Sequence, residues 1–395
     1  HTVTREPSAR FAAEAEAIAP AAGPLPYRYA LSNGAPMYAR LPDAREQAKA
    51  ERGYGKPGRT VHLSRALAAH EELARDGPVA AADAAPAFAL DGQPLLPERL
   101  DLVANTMPLG SMLSFTRAFE ANGRAWLLST DLTFVPADRV RPFAPSAFHG
   151  TRLGEGAARL PIAWMKTFSR PKFVLAGGAA NKTGAEWPAR AFAELTGRSE
   201  TLDGERYLET RERTDAGEPV WVSTRDATVV EPADKLPFVV KADERWIVVS
   251  LSQGTLVAYD GLRPVYATLV SPGKGGIPVK GRDPVQAGTT PLGAYRITFK
   301  DRAATMSPDK KGDPRTLVIA DVPFTQYFAP PFALHAAYWH ERFGEPTSAG
   351  CVNLSPIDAE ALFAFTEPAV PEGWAGATGA GAPENGRASW VVIRR

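Results

Sequence analysis

The pattern of apolar and polar positions changes character near residue 240. From residue 245 to 276, RWIVVSLSQGTLVAYDGLRPVYATLVSPGKGG sets apolar and polar positions in strand-length blocks interrupted at SQG and at DG. That pattern predicts three strands, the first an alternating one, joined by two tight turns. GTTPLGAYRITFK, 288 to 300, predicts a turn over residues 290 to 293 followed by another strand. SPIDAEALF then reads as a helix start, with Ser355 at the N-cap, Pro356 at the first helical position and Asp358 in the first turn.

Upstream, AWLLSTDLTFVPADRVRPF (125 to 143) and VWVSTRDATVVEPADKLPF (220 to 238) share a tryptophan, a Ser-Thr pair, a Pro-Ala-Asp followed by a basic residue, and a Pro-Phe end. Self-similarity of this kind points to two copies of one unit. Aromatic strands at 26 to 40 and 162 to 174 would open the copies. Short strands broken by Gly, Pro, Asn and Asp favour small β-barrels. Residues 43 to 76 hold two helix-like stretches inserted in the first copy. His62 and His70 lie there, eight apart with no carboxylate or cysteine pattern between them, and read as surface or packing residues. Gly/Ala/Pro-rich runs at 76 to 92 and 374 to 387 read as loops, and the first 24 residues as a tether.

Composition adds exclusions. With 44% hydrophobic and 23% charged residues, the chain is globular in type and long enough for several cores. A net charge of +1 gives no reason to expect nucleic acid or an anionic membrane as partner. No apolar run is long enough for a membrane span. Because the numbering starts at His1 rather than at a methionine with a leader, a removed signal or lipid anchor, and hence export to the periplasm or cell envelope, is the expectation. P-loop, dinucleotide, C-x-x-C and H-E-x-x-H patterns are absent from the sequence, and GKGG at 273 to 276 reads as a turn, so no cofactor or metal is expected.

The chemistry concentrates at a single cysteine, Cys351. Gly350 before it suits a close backbone approach with a main-chain N–H free to face a ligand. A cysteine nucleophile needs a base, since a thiol pKa of about 8.5 leaves little thiolate at neutral pH. Upstream, FALHAAYWHERFG supplies His335 and His340. His340 reads as structural, because neither strand nor helix spacing sets its ring beside that of His335. Tyr327, Phe328, Tyr338 and Trp339 flank His335 and could wall a peptide groove. One cysteine also suits an oxidising compartment, where a nucleophile is safest without a disulfide partner.

LHAAYWHERFGEPTSAGCVNLSPIDAEALF, 334 to 363, resembles the active-site signature of the L,D-transpeptidases of the YkuD type. His335, Ser348, Gly350, Cys351, Val352 and Asn353 match it, and the opening hairpin and TPLG turn are similar to that family's. Ala349 stands where a second histidine is usual, and Ala336 where a glycine is. The upstream copies resemble bacterial Src-homology-3-like barrels. The expected organisation is mainly β and multidomain: a tether at 1 to 24, a first small barrel-like module with its helical insertion at 25 to 150, a second at 151 to 239, and a β-rich catalytic domain with one or two helices at 240 to 395.

The resemblance implies covalent acyl transfer. Cys351 is the nucleophile, His335 the base and acid, the N–H groups of Gly350 and Cys351 the oxyanion donors, and the Ala336 carbonyl the group that orients His335. Ser348, Asn353, Tyr338, Trp339 and Tyr327 are the candidate substrate contacts. The implied donor is a peptidoglycan tetrapeptide stem that loses D-alanine, and the acceptor a diamino acid amine. Hydrolysis, exchange of the terminal D-amino acid, attachment of a wall-anchored protein, or an inactive wall-binding scaffold are the alternatives.

Overall fold

In the computed structural model the described residues are 25–51, 101–143, 146–306, 317–379 and 387–395. The proposed tether, the second helix-like stretch with His62 and His70, and the loop at 76 to 92 lie outside them. The architecture is mainly β, as the sequence predicts, and among the described residues no sheet closes into a barrel. No helix among these residues is long and apolar enough to cross a membrane. Two compact units form: one from residues up to 145 with 304 to 322, the other from 146 to 303 with 323 to 395.

The first unit contains β1 (Arg28–Ser32), β2 (Pro36–Tyr38), α1 (Ala44–Ala50), β3 (Val103–Thr106), β4 (Met112–Ala121), β5 (Arg124–Ser129), β6 (Phe134–Pro136) and β7 (Val140–Pro142). β4, β5, β6, β2 and β3 are neighbours in that order, and β1 pairs with both β4 and β7. The segment 304 to 322 joins the same unit, with Ile319 pairing in parallel with Met112. Asp43 and Glu46 form a reciprocal capping box that starts α1. At the other end of the helix, Glu51 is buried and bonded to Arg124 at 2.7 Å, Arg139 at 2.8 Å and the Tyr38 hydroxyl at 2.7 Å. Burial by itself would raise the Glu51 carboxyl; the Arg124 and Tyr38 hydrogen bonds and the two guanidinium charges overcome it and hold the group below the ordinary carboxylate range.

The second unit is layered. β8 (Thr151–Arg152), β9 (Ile162–Met165), β10 (Arg170–Ala176), β11 (Ala179–Trp187), β12 (Phe192–Leu202), β13 (Glu205–Arg213), β14 (Pro219–Ser223) and β15 (Ala227–Val230) come first. Apart from β8, they form one antiparallel sheet in the order β11-β10-β14-β13-β12-β9-β15. β16 (Arg245–Ser250), β17 (Thr255–Asp260) and β18 (Arg263–Leu269) follow as the predicted meander. Next come α2 (Pro284–Ala287), β19 (Gly293–Arg296), β20 (Phe299–Met306), β21 (Ile319–Ala329), β22 (Phe332–Ala336), β23 (Val352–Leu354), α3 (Pro356–Phe365), β24 (Gly376–Thr378) and β25 (Trp390–Arg394), the residues of β20 from 304 and of β21 up to 322 belonging to the first unit. The meander's sheet runs β19-β25-β16-β17-β18-β8.

The first meander strand is not half-exposed, as simple alternation would have it. Ile247, Val249, Leu256 and Ala258 pack with Leu334, Val352, Leu354 and Leu362 in one core, while Trp246, Val248, Val257 and Tyr259 pack with Ile162, Trp164 and Val230 in another. Both faces of β16 and β17 are therefore apolar, which explains the near-continuous runs WIVV and LVAY. β9 is buried twice over in the same way, with Ala163 and Met165 facing its own sheet's core.

Two polar devices fix α3. Ser355 caps it by accepting from the Asp358 N–H, and Pro356 opens it, as the sequence predicts. The buried Asp358 carboxylate accepts from Gly150 N–H at 2.7 Å, Tyr266 OH at 2.7 Å and Thr268 Oγ1 at 2.5 Å, tying the helix to β18 and to the segment before β8. A Cβ at Gly150 would fall 2.2 Å from the Ala267 carbonyl oxygen, so glycine is required there. At the far end of the helix, Lys300 Nζ donates to the Phe363 and Thr366 carbonyls and to Thr366 Oγ1. Burial, then the nearby Arg302 charge, pushes the Lys300 pKa down to about 7, with Glu367 opposing.

Replacing Glu51 with leucine leaves two buried guanidiniums without their shared carboxylate. The expected loss is about 3 to 5 kcal/mol of stability in the first unit, read as lost amide-exchange protection in β4 and β5. Because the folded pKa of Glu51 is lowered, its contribution in the wild type is present above the unfolded carboxylate pKa of about 4.3 and is lost as pH falls through the lower folded value.

Candidate active site

β21, β22 and β23 carry the site. β21 runs antiparallel to β22, with Tyr327 opposite Ala333, and β22 runs parallel to β23, with Leu334 opposite Val352 and His335 opposite Asn353. Paired residues project from the same face of a sheet and neighbours along a strand from opposite faces. Leu334, Ala336, Val352 and Leu354 point into the core, so Tyr327, Ala333, His335 and Asn353 share the other face. Cys351 stands two residues before Asn353, on that same face and next to Ala333. Its sulfur lies 3.9 Å from the Pro331 carbonyl oxygen and receives the Ala333 N–H.

His335 is 3% exposed and its Nδ1 lies 3.0 Å from the Ala336 carbonyl oxygen. A carbonyl can only accept, so Nδ1 carries the proton and Nε2 keeps its lone pair. Burial pushes the His335 pKa down to about 4, with the Ala336 bond opposing, and pushes the Cys351 thiol up to about 11. The resting pair is therefore a neutral thiol and a neutral imidazole.

The loop that bears Cys351 is clamped from three sides. Gly350 has φ of 140°, and a Cβ on it would meet Phe332 Cε1 at 2.6 Å, so no other residue fits. Ser348 Oγ accepts the Gly350 N–H at 3.0 Å and donates to the Cys351 carbonyl at 2.5 Å. Thr290 Oγ1 donates to the Gly350 carbonyl at 2.8 Å and accepts the Gly273 N–H at 3.0 Å. The Gly350 N–H is thus engaged inside the loop. Fixing the Gly350 carbonyl also fixes the planar peptide that holds the Cys351 N–H on its opposite edge.

The other candidates divide by exposure. Tyr327 and Trp339 are half-buried, Tyr327 with its hydroxyl pushed up by burial and by nearby Cys351 and Asp301, and Trp339 with its ring centroid 5.7 Å from that of His335. Tyr338 is buried, edge-on to Trp339 at 4.9 Å, and Phe328 is in the core. Ser348 and Asn353 are buried, and their hydrogen bonds described here are to protein groups. Ala349 is exposed. Among the described residues no three His, Cys, Asp or Glu side chains lie together as metal ligands would.

Two contributors have partners that sequence reasoning could not name, although it reads the second, His340, as structural. Thr290 lies in the TPLG turn, but nothing local shows its bond to Gly350. His340 is 3.0 Å from the Asn353 amide through Nε2, while its Nδ1 accepts the Arg342 N–H at 3.2 Å. The Asn353 atom at Nε2 is the amide nitrogen, so both ring nitrogens of His340 are engaged, one by Asn353 and one by Arg342. Burial, then the neighbouring His335, pushes the His340 pKa down to about 4.

Residues 244–383 match the YkuD family, the L,D-transpeptidase catalytic domain. No curated protein sequence matches the chain. Similar solved structures include an L,D-transpeptidase from Xylanimonas cellulosilytica, at 20% identity over 40% of this chain and 64% of that one, TM-score 0.26. L,D-transpeptidase 3 from Mycobacterium tuberculosis matches at 17% identity over 51% of this chain and 79% of that one, TM-score 0.27. The catalytic domain of the E. faecium L,D-transpeptidase matches at 18% identity over 38% of this chain and 98% of that one, TM-score 0.26. The chain thus spans less than two thirds of the Xylanimonas structure. It carries an L,D-transpeptidase catalytic domain of the YkuD type over residues 244–383.

The lowered His335 pKa has a kinetic signature. Its base form is lost only as pH falls through about 4, so the acid limb of thiol acylation should lie below pH 5, well under the ordinary imidazole value; a pH–rate profile checks this. Thr290→Val removes the donor to the Gly350 carbonyl with little change in volume. Turnover should fall roughly tenfold or more while KM moves little, as expected for a group that holds an oxyanion donor.

Proposed function

We propose that the chain is a peptidoglycan L,D-transpeptidase that works through a thioester on Cys351. The observation that carries this is the hydrogen bond from His335 Nδ1 to the Ala336 carbonyl, which leaves Nε2 unprotonated on the sheet face that bears the thiol. In the first half-reaction, Nε2 takes the thiol proton as sulfur attacks a stem-peptide carbonyl. The Cys351 N–H supports the oxyanion, and the C–N bond breaks as His335 gives its proton to the leaving D-alanine amine. In the second, an acceptor amine loses a proton to His335 and attacks the thioester. The C–S bond then breaks and the thiol is restored.

Tyr327 and Trp339 flank the thiol and the imidazole and form the walls against which the stem lies. Ser348, Asn353 and Tyr338 act from inside, by holding the loops in shape. The acceptor is a diamino acid amine of another stem. Water or a free D-amino acid would divert the same thioester to carboxypeptidase or exchange products, and a lysine of a wall-anchored protein would attach it to the wall. A peptidoglycan substrate supports a location in the periplasm or cell envelope, and the single cysteine suits an oxidising compartment. The upstream β modules, read as related to Src-homology-3-like domains, would hold it on its polymer and raise the local substrate concentration.

Incubation of the purified protein with disaccharide tetrapeptide, followed by mass analysis, should yield a crosslinked product and free D-alanine. Cys351→Ala should abolish both while leaving thermal stability nearly unchanged, since the thiol is small. Turnover retained by that variant would refute the thioester.

A further inference from the structure

The loop that leads from the base to the nucleophile leans on the β9–β15 sheet and on the segment just before it. Phe343 is 0% exposed and belongs to the core shared by Leu153, Trp164 and the meander. Its ring stacks on Phe148 at 5.4 Å and 18°, and Phe148 sits edge-on to Trp164 at 6.4 Å. On its other side, Phe343 lies 5.1 Å from the His340 ring. Polar ties run alongside. Thr167 Oγ1 bonds the Glu345 carboxylate, and Arg190, whose guanidinium covers the Phe148 ring at 5.5 Å, bonds the carbonyl and carboxylate of Glu341. The stem of Lys166 packs 3.4 Å from where a Cβ on Gly344 would stand.

We propose that this sheet and residue Phe148 are a positioning part of the active site: they hold the loop at 340 to 345 so that His340 stays bonded to Asn353, and Asn353 in turn holds the strand that carries Cys351 opposite His335. His340 is a positioning residue and not a second base. Both its ring nitrogens are engaged, Nδ1 by the Arg342 N–H and Nε2 by the Asn353 amide nitrogen, so neither is free to take a proton from the thiol. Asn353 is 3% exposed, and His340 is the side-chain partner described for its amide. If the His340 ring swings into water, that amide is stranded beside the base.

The consequences are separable from loss of stability. Charged and titratable groups acting on His340 are His335 on β22 and Glu341 and Arg342 on its own loop, while Lys166 and Arg190 on the packed sheet are engaged by Glu345 and Glu341. Phe148→Ala opens the aromatic wall, and the His340 pKa should rise from about 4 toward the free value of about 6.5. Iodoacetamide alkylation of Cys351 should then show an inflection between about pH 5 and 7 that the wild type lacks. The His340→Gln change in the same background should abolish that inflection. Turnover in Phe148→Ala should fall about tenfold with KM within roughly threefold.

The proposal deepens the transpeptidase reading, but NMR titration of the His340 ring tests it without any turnover. Should Phe148→Ala fold poorly, the double change Thr167→Val with Arg190→Ala removes the outer polar ties and the guanidinium over Phe148 but keeps the aromatic stack, and it should produce the same titration with a smaller, roughly threefold, fall in turnover. A lower unfolding temperature with an unchanged His340 titration and an unchanged alkylation profile, in both variants, would overturn the positioning role and leave a purely structural contact. A wild type with normal His340 behaviour but no acyl transfer would instead count against the function.

Discussion

The parallel register of β22 against β23 is the constraint on which the rest depends. With His335 opposite Asn353, the inner faces of both strands are apolar and close the core against α3, and the outer faces carry the imidazole and the thiol. A slip of one residue would turn one of the two strands over, sending either His335 or Cys351 into that core and bringing Leu334 or Val352 out of it, at the cost of much of the burial that stabilises the domain. Core packing and site geometry are thus one requirement. Gly350 sits at the point where both meet, because Phe332 leaves no room for a side chain there.

Burial then sets the chemistry. A thiol pushed up and an imidazole pushed down do not form an ion pair at rest; on the proposed mechanism, sulfur becomes nucleophilic only as its proton moves to Nε2 during attack. Such a site is protected from stray electrophiles and oxidants, which react with thiolate. Around it the loops are tied down: Thr290 and Ser348 bond the Gly350 peptide, and Thr167 bonds Glu345 of the 340 to 345 loop.

Much of this was legible in the sequence because it is local. The cap of α3 follows from Ser355-Pro356 and Asp358, the meander from its two turns, and Cys351 and His335 from a motif with fixed spacing. The bond from His335 to its neighbour's carbonyl follows from adjacency alone. What stayed hidden joins residues far apart in the chain: Thr290 to Gly350, Asp358 to Gly150, Phe148 to Phe343. The run WIVV was a sign that β16 is covered on both faces, yet periodicity cannot say by what. A free Gly350 N–H was a fair inference from its place before the cysteine, but Ser348 Oγ takes that hydrogen bond.

The protonation state of His335 bears most directly on how Cys351 is activated. Proton-coupled nitrogen NMR of the imidazoles can be assigned by comparison with His335→Gln. At pH 7 it should show His335 neutral with the proton on Nδ1, and no ring ionisation until pH falls below about 5. A doubly protonated His335 at pH 7 that loses its proton together with a change at Cys351 would mean a resting thiolate–imidazolium pair, and would contradict a neutral site.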